Sequence, residues 1–152
     1  MAGARVGILI DDVGVNASLG VLRAIQARAM DLTPLLDALG GLVESQTRRR
    51  LSQDKEGPNG EPWPEWSEGY KATRRGGHHL LESTGTLIDS VHYMVRGDAV
   101  EVGSGMVYAA IHHFGGAEAG KPEIPARPWL GISRDDRHEI DEVLGDWIGR
   151  AA

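Results

Sequence analysis

The histidines are the residues of this sequence best suited to metal or acid–base chemistry, and their spacing argues against a shared metal ion. Two pairs are adjacent in the chain, His78-His79 and His112-His113. Adjacent side chains on a helix or strand point in different directions, so neither pair can readily chelate one ion. The HExxH spacing, which places two histidines on one helical face, does not occur. The pattern therefore favours surface or interface histidines.

Acidic pairs and serines could also support chemistry, but both lack the surroundings that such chemistry requires. Asp11-Asp12 and Asp135-Asp136 lack the alternating oxygen ligands, glycine and distal glutamate of a calcium loop. Gly103-Ser104-Gly105 resembles half of a phosphate-binding loop, without its lysine. No serine stands in a G-x-S-x-G context. We therefore predict no catalytic residue, metal ligand or cofactor. A hydrolase whose Ser, His and Asp residues meet only in the folded chain is the alternative.

Basic residues form two runs, which raises the question of nucleic-acid binding. Arg48, Arg49 and Arg50 end a predicted helix, where cations interact favourably with the helix C-terminus. The second run contains Lys71, Arg74 and Arg75. The formal net charge of -6 and the pI of about 5.5 argue against broad nucleic-acid binding. Contact of Arg48–Arg50 with an acidic partner, or with DNA in a channel, is the alternative.

Tryptophans and one arginine are the predicted interface residues. Trp63 and Trp66 lie in a Pro- and Gly-rich stretch, residues 52–79, that is predicted to be an extended loop. An indole is costly to leave in water, so both side chains should dock on something. Two prolines fix the backbone around Arg127, which suits a preset polar contact near Trp129. We predict that these four side chains contact a neighbouring subunit, and packing within the chain is the alternative.

The elements that must position these residues begin with a well-marked helix. Thr33 is its predicted N-cap, Pro34 occupies its first turn, and Leu51 extends its apolar stripe. Gly40 and Gly41 weaken the helix but would allow close packing against a neighbour.

Further local patterns complete a predicted α+β fold, in which a small antiparallel β-sheet packs with N-terminal and C-terminal helices beside the extended loop. Ser133 and Asp136 form a predicted capping box for the C-terminal helix. The other predicted elements are a strand at 6–10, a helix at 18–29, a hairpin at 91–96 and 99–102 that ends at 103–105, and a short helix at 106–114.

Length and composition limit the class of protein. A chain of 152 residues suits one domain, 1–152, with the loop 52–79 as an extension. The absence of cysteine excludes disulfides and thiolate metal sites. No apolar stretch approaches the ~20 residues that span a bilayer, and the N-terminus lacks a signal-peptide pattern. We therefore expect a protein made in the cytoplasm with no membrane partner.

Four motifs occur in order along the chain, at 57–64 (GPNGEPWP), 80–90 (LLESTGTLIDS), 108–115 (YAAIHHFG) and 124–131 (IPARPWLG). Together they make the chain resemble the phage virion morphogenesis family, the tail-completion proteins of Mu-type and related tailed phages. The departures from the family pattern are small: Asn59 replaces the usual Asp, His113 the usual Gln, and Trp129 often stands where Phe is found.

The resemblance implies a structural virion protein rather than an enzyme. It implies action in tail completion and head–tail joining at the neck, with assembly in the cytoplasm of the host bacterium. The expected state is a ring, hexameric because the phage tail is six-fold. Its expected partners are the tail terminator or tail tube and the head–tail connector, with DNA passing through the ring. Duty as a tail terminator or connector ring is the alternative, as is a small nucleic-acid-contacting module using Arg48–Arg50.

Overall fold

The computed structural model describes residues 12–74 and 76–150, and the side chains from residue 19 onward. Within those ranges the chain is α+β, as predicted, with six α-helices and one two-stranded antiparallel sheet. In order they are α1 (Asp12–Ala29), α2 (Thr33–Arg49), α3 (Glu68–Thr73), α4 (Thr86–Asp89), β1 (Val91–Arg96), β2 (Ala99–Ser104), α5 (Ala109–Phe114) and α6 (Arg134–Gly149). The strand predicted at 6–10 lies outside the described residues.

Helix α2 is the central element, because both the hairpin and α6 pack against it. It begins at Thr33 with Leu32 as N-cap, so the predicted cap at Thr33 was wrong by one residue. The carboxylate of Asp31 accepts the Thr33 N–H at 3.0 Å, which satisfies a first-turn donor without Thr33 as cap. A Cβ at Gly40 would collide with the Tyr93 ring, so the predicted close packing is confirmed there.

The chain stays helical beyond α2 through a π-helical turn, Arg50–Asp54, that ends at Lys55 in a left-handed conformation (φ 56°). Leu51 in this turn is fully buried, which confirms that the apolar stripe of α2 extends to it. The π-helical turn is wider than an α-helical turn, and after it the chain leaves α2 and enters the loop that carries Trp63 and Trp66.

The predicted hairpin is confirmed, with Gly97-Asp98 as its turn and Arg96 paired with Ala99. Val100 and Val102 are half-buried while Glu101 is exposed, as the alternation predicted. The predicted end of the strand at residues 103–105 was wrong, because Gly103 and Ser104 still pair with β1. β1 therefore has a partner along its whole length.

Two further predictions needed adjustment and one was confirmed. The loop 52–79 contains α3, because the Ser67 hydroxyl accepts the Tyr70 N–H at 3.3 Å and starts a helical turn. The helix predicted at 106–114 begins only at Ala109. The capping box of α6 is confirmed, since Ser133 and Asp136 exchange hydrogen bonds of 3.0 and 2.9 Å.

No helix in the described part of the chain is both long and apolar enough to cross a bilayer.

Candidate functional site

The hydrophobic core is built by the four sequence motifs, one buried residue from each. These residues are Trp63, Leu87, Ala109 and Trp129, and they pack with Leu51 and Val91 from the π-helical turn and β1. Each comes from a segment without a long helix or strand of its own. The motifs therefore meet at one place, where side-chain packing holds loops that regular backbone structure does not.

The two core tryptophans also tie the motifs together through hydrogen bonds. The Trp63 indole N–H donates to the Pro128 carbonyl at 2.8 Å, and the Trp129 indole N–H donates to the Ala109 carbonyl at 3.1 Å. The two side chains are 4% and 3% exposed. For Trp63 and Trp129 the structure therefore shows the alternative to a contact with a neighbouring subunit, because the chain itself covers both indoles.

Arg127 is also an interior residue, only 5% exposed. Its guanidinium donates to the carbonyls of Pro64 (2.8 Å) and Glu65 (3.2 Å). Burial lowers the pKa of Arg127, partly offset by the charge of Glu65. The preset polar contact predicted for Arg127 exists, but it lies within the chain. It holds the backbone that connects the two loop tryptophans.

Two glycines allow the motifs to approach each other closely. Gly115 has φ 84°, and a Cβ there would lie 3.0 Å from the Ala126 nitrogen. At Gly131, with φ 151°, a Cβ would lie 2.6 Å from Cγ of Pro58. A side chain at either position would push apart two of the four segments, which gives a physical reason for the glycine that ends the third and fourth motifs.

His112 and His113 support this core rather than a metal site. The His113 Nδ1 accepts backbone N–H groups of Trp129 (3.3 Å) and Leu130 (3.4 Å). Burial lowers the pKa of both histidines, and the charge of Arg127 lowers that of His112 further. The His112 Nδ1 is buried without a hydrogen-bond partner among the described residues. Both imidazoles are therefore held in the neutral form at neutral pH.

Arg48 belongs to the packing of α2 on the hairpin. Its guanidinium donates to the Val91 carbonyl at 2.6 Å and pairs with Glu44 at 3.0 Å, while the Glu44 carboxylate accepts the Tyr93 N–H. Glu44 and Arg48 thus occupy the backbone groups on the outer edge of β1 in place of a third strand.

Arg49 and Arg50 connect α2 to α6. Arg50 is 3% exposed and its guanidinium bonds to Asp136 and to the carbonyls of Trp129 and Gly131. Arg49 lies closer to the surface and pairs with Asp136 and Glu139. The three arginines predicted as a partner or nucleic-acid contact thus already have carboxylate or carbonyl partners within the chain, and Arg50 is buried among them.

Trp66, the fourth predicted interface residue, lines an open groove of about 480 Å³ that we call the Trp66 groove. It is bounded by one segment from each of four regions, represented by Tyr70, Leu81, Tyr108 and Ile124. Trp66 and Tyr70 contact edge to face at 5.9 Å, and the Arg74 guanidinium lies 4.4 Å from the centre of the Tyr70 ring. Its lining combines aromatic and aliphatic side chains with charged ones such as Arg74 and Glu123, which suits a largely apolar segment.

Exposed apolar side chains occur at both ends of α5, Val107 (98% exposed) just before it and Phe114 (77%) at its last residue, and we call them the Phe114 ridge. The sequence favours a role for Phe114 in the fold rather than in a partner contact, and this prediction is wrong. α5 buries Ala109 and turns His112 and His113 inward, which leaves Phe114 on the opposite side. The type of residue could not reveal this exposure, because an F-G pair at a helix end is equally compatible with burial.

The described residues contain few arrangements of side chains that could support catalysis. Ser83 Oγ and His78 Nδ1 are 3.3 Å apart, but both are near the surface and no carboxylate orients the imidazole. Within residues 12–74 and 76–150, no three His, Asp or Glu side chains are grouped closely enough to hold a metal ion. What the geometry can do best is bury an apolar segment in the Trp66 groove.

Comparison with known proteins agrees with this arrangement of motifs. Residues 13–149 match the sequence model of the phage virion morphogenesis family. The chain belongs to this family. The match spans all four motifs and the helices on either side, so the whole described fold is the family's fold rather than an addition to it.

Members with similar sequences come from Mu and its relatives. The chain is 28% identical over 114 residues to protein G of Escherichia phage Mu, whose name refers to capsid assembly; the match covers 70% of this chain and 73% of that protein. It is 32% identical over 143 residues to Mu-like prophage FluMu G protein 2 of Haemophilus influenzae, covering 90% and 95%. FluMu G protein 1 of the same bacterium is 26% identical over 127 residues, covering 78% and 80%. No solved structure matches the chain.

Proposed function

We propose that this member of the phage virion morphogenesis family is a structural subunit that completes the tail and joins it to the head, acting as a ring at the virion neck. The observation that carries the proposal is that the four family motifs build the core and leave apolar side chains of α5 and of the Trp66 groove on the surface.

Exposed apolar side chains support the same proposal. Leu22 of α1 is 60% exposed, and Val107 and Phe114 are each more than three quarters exposed. Isolated exposed apolar residues are ordinary, whereas an exposed aromatic ring together with an apolar groove on the same domain is typical of an interaction site. Contact with other virion proteins would remove them from water.

A role without catalysis is part of the proposal. The four motifs supply core residues, close-packing glycines and a buried arginine instead of a nucleophile with its base. The proposed partners are further copies of this chain, in a hexameric ring, and the tail terminator or tail tube and head–tail connector. The same ring could instead serve as the terminator or the connector, with DNA passing through it.

The decisive experiment is to inactivate the gene in an inducible phage and examine the lysate by electron microscopy. We expect full heads and finished tails that remain separate, and restoration of joined particles by the wild-type gene supplied in trans. Tails of abnormal length would support the terminator alternative. Infectious, joined particles formed without the protein would contradict the proposal.

A further inference from the structure

We infer that the Phe114 ridge of one copy inserts into the Trp66 groove of the next copy, which makes the subunit contact head-to-tail. This inference rests on the proposed function, because it names the contact that would build the proposed ring. It assigns an occupant to the groove and a purpose to two apolar side chains that the core does not use.

The ridge is unusually exposed for residues so close to the core. Val107 and Phe114 flank α5, which lies between the core and solvent, and Ala110 between them is exposed as well. The Phe114 ring contacts the His113 ring in an edge-to-face arrangement, with 4.5 Å between ring centres. Covering such side chains with an apolar surface is favourable, because it removes apolar area from water.

The groove has the matching chemistry. Trp66, Tyr70 and Tyr108 supply aromatic walls, and Leu81, Leu87 and Ile124 supply aliphatic surface. Trp66 is half-buried and Tyr70 is 43% exposed, so neither ring is fully covered by its own chain. Aromatic side chains in such a position are the residues that most often dominate the energy of a protein contact.

A single chain cannot place its own ridge in its own groove. Tyr108 and His112 line the groove, and Phe114 lies two residues beyond His112, which is about 200° around the axis of α5. Ridge and groove therefore face different sides of the subunit. A contact between two different surfaces of identical chains is heterologous, and it closes into a ring when the rotation between neighbours permits.

Charge placement supports a second copy as the occupant. Glu118, in the turn that follows the ridge, is exposed and forms no ion pair within the described ranges. Arg74 at the groove wall lies against aromatic rings and Ser83, and no carboxylate of the described residues is within 4.0 Å. Docking the ridge in the groove can bring these two opposite charges together at the rim.

The Phe114 ridge and the Trp66 groove both lie close to the core that the four motifs build. We therefore assign a second copy of the chain as the occupant of the groove.

The test exploits the absence of cysteine from this chain. Two single variants are purified, Phe114→Cys and Thr84→Cys, the latter at the groove wall, and are mixed under mild oxidation. We expect a disulfide-linked dimer in the mixture that neither variant forms alone. A chain carrying both substitutions should give a ladder of linked oligomers that ends at the ring size.

The matched control replaces Phe114→Cys with Met30→Cys, which is as exposed (84% against 77%) but lies far along the chain from the ridge and does not line the groove. We expect no cross-link from Met30→Cys to Thr84→Cys. Equal cross-linking by the two variants, or none by Phe114→Cys in a wild-type-like assembly, would overturn the inference.

Charge substitutions test the same contact without oxidation. Phe114→Asp should weaken self-association by about tenfold or more in sedimentation velocity, whereas Met30→Asp should not. Arg74→Glu and Glu118→Arg should each weaken it, and their combination should restore it. Circular dichroism and the thermal midpoint must stay near wild type for each variant that is scored.

The outcomes separate this inference from the proposed function. If Phe114→Asp still forms rings and complements the phage defect, the inference is wrong and the function stands. If the wild-type chain forms no assembly and the Phe114→Cys and Thr84→Cys variants give no mixed disulfide at any concentration, the inference is wrong. If phage lacking the gene also joins heads to tails, the proposed function fails with it.

Discussion

Trp63 and Trp66 are three residues apart in one proline-rich segment, and the structure gives them opposite environments. Trp63 is 4% exposed in the core and its indole N–H bonds to the Pro128 carbonyl. Trp66 is half-buried at the wall of an open groove and contacts Tyr70 and Arg74. An indole in a loop must be covered, but its residue type does not say whether its own chain or a neighbour covers it.

The arginines show the same division. Arg50 and Arg127 are buried and donate to carbonyls and a carboxylate of their own chain. Arg74 lies at the groove and pairs with aromatic rings. The two buried arginines hold loops against one another. The Arg74 guanidinium contacts aromatic rings and remains available for a partner. The predictions below test that division, from the largest expected change in stability to the smallest.

Trp129→Ala should lower the free energy of unfolding by about 3–5 kcal/mol, because it removes a large buried ring and leaves the Ala109 carbonyl without its donor. Urea unfolding measures the change. Trp63→Ala should fall in the same range. A loss below about 1 kcal/mol for both variants would show that the core does not depend on the motif tryptophans.

Arg50→Ala should cost about 3 kcal/mol, because Asp136 would lose its buried partner. Arg137→Ala, at an exposed position of the same helix α6, is the control and should change stability by less than about 0.5 kcal/mol. The comparison uses urea unfolding at one pH. Equal effects would mean that the link between α2 and α6 carries little stability.

Stability should fall as the pH drops below the ordinary histidine pKa of 6.5. Burial lowers the pKa of His113, so folding favours the neutral ring: its contribution is complete above pH 6.5 and is lost as protons bind below that value. His113→Gln keeps an acceptor for the Trp129 N–H and should flatten this dependence. Urea midpoints at about pH 7.5 and about pH 5.5 provide the measurement.

The control for this prediction is His138→Gln, since His138 is largely exposed and lies far from the core. Its pH profile should match that of the wild type. If His113→Gln leaves the profile unchanged, another group carries the dependence, and His112, whose pKa burial also lowers, becomes the residue to test.

Trp66→Ala should change the free energy of unfolding least, by about 1 kcal/mol or less. Folding of the single chain buries only part of the Trp66 ring, so removing the ring sacrifices little buried apolar area. Self-association should weaken in sedimentation velocity nonetheless. This variant is the direct counterpart of Trp63→Ala. A loss of stability as large as that of Trp63→Ala would abolish the division between interior and surface tryptophans.

Local patterns in the sequence predicted much of the fold. The Ser133–Asp136 capping box, the two-residue turn of the hairpin and the stripe of α2 through Leu51 each depend on residues a few positions apart. Such interactions form within one element, so their signals can be read without knowing the rest of the chain. The cap at Thr33 failed because Asp31, outside the helix, supplied the hydrogen bond.

The sequence alone determined the α+β class, the four motifs and the family to which they point. Only the tertiary structure decided which tryptophan is interior, that Arg48, Arg49 and Arg50 bind their own chain, and that Phe114 is exposed. Those outcomes depend on contacts between residues far apart in the chain, such as Trp63 with Pro128 or Arg50 with Asp136. A side chain's type sets what it must be paired with, but the packing of distant segments decides where that partner is.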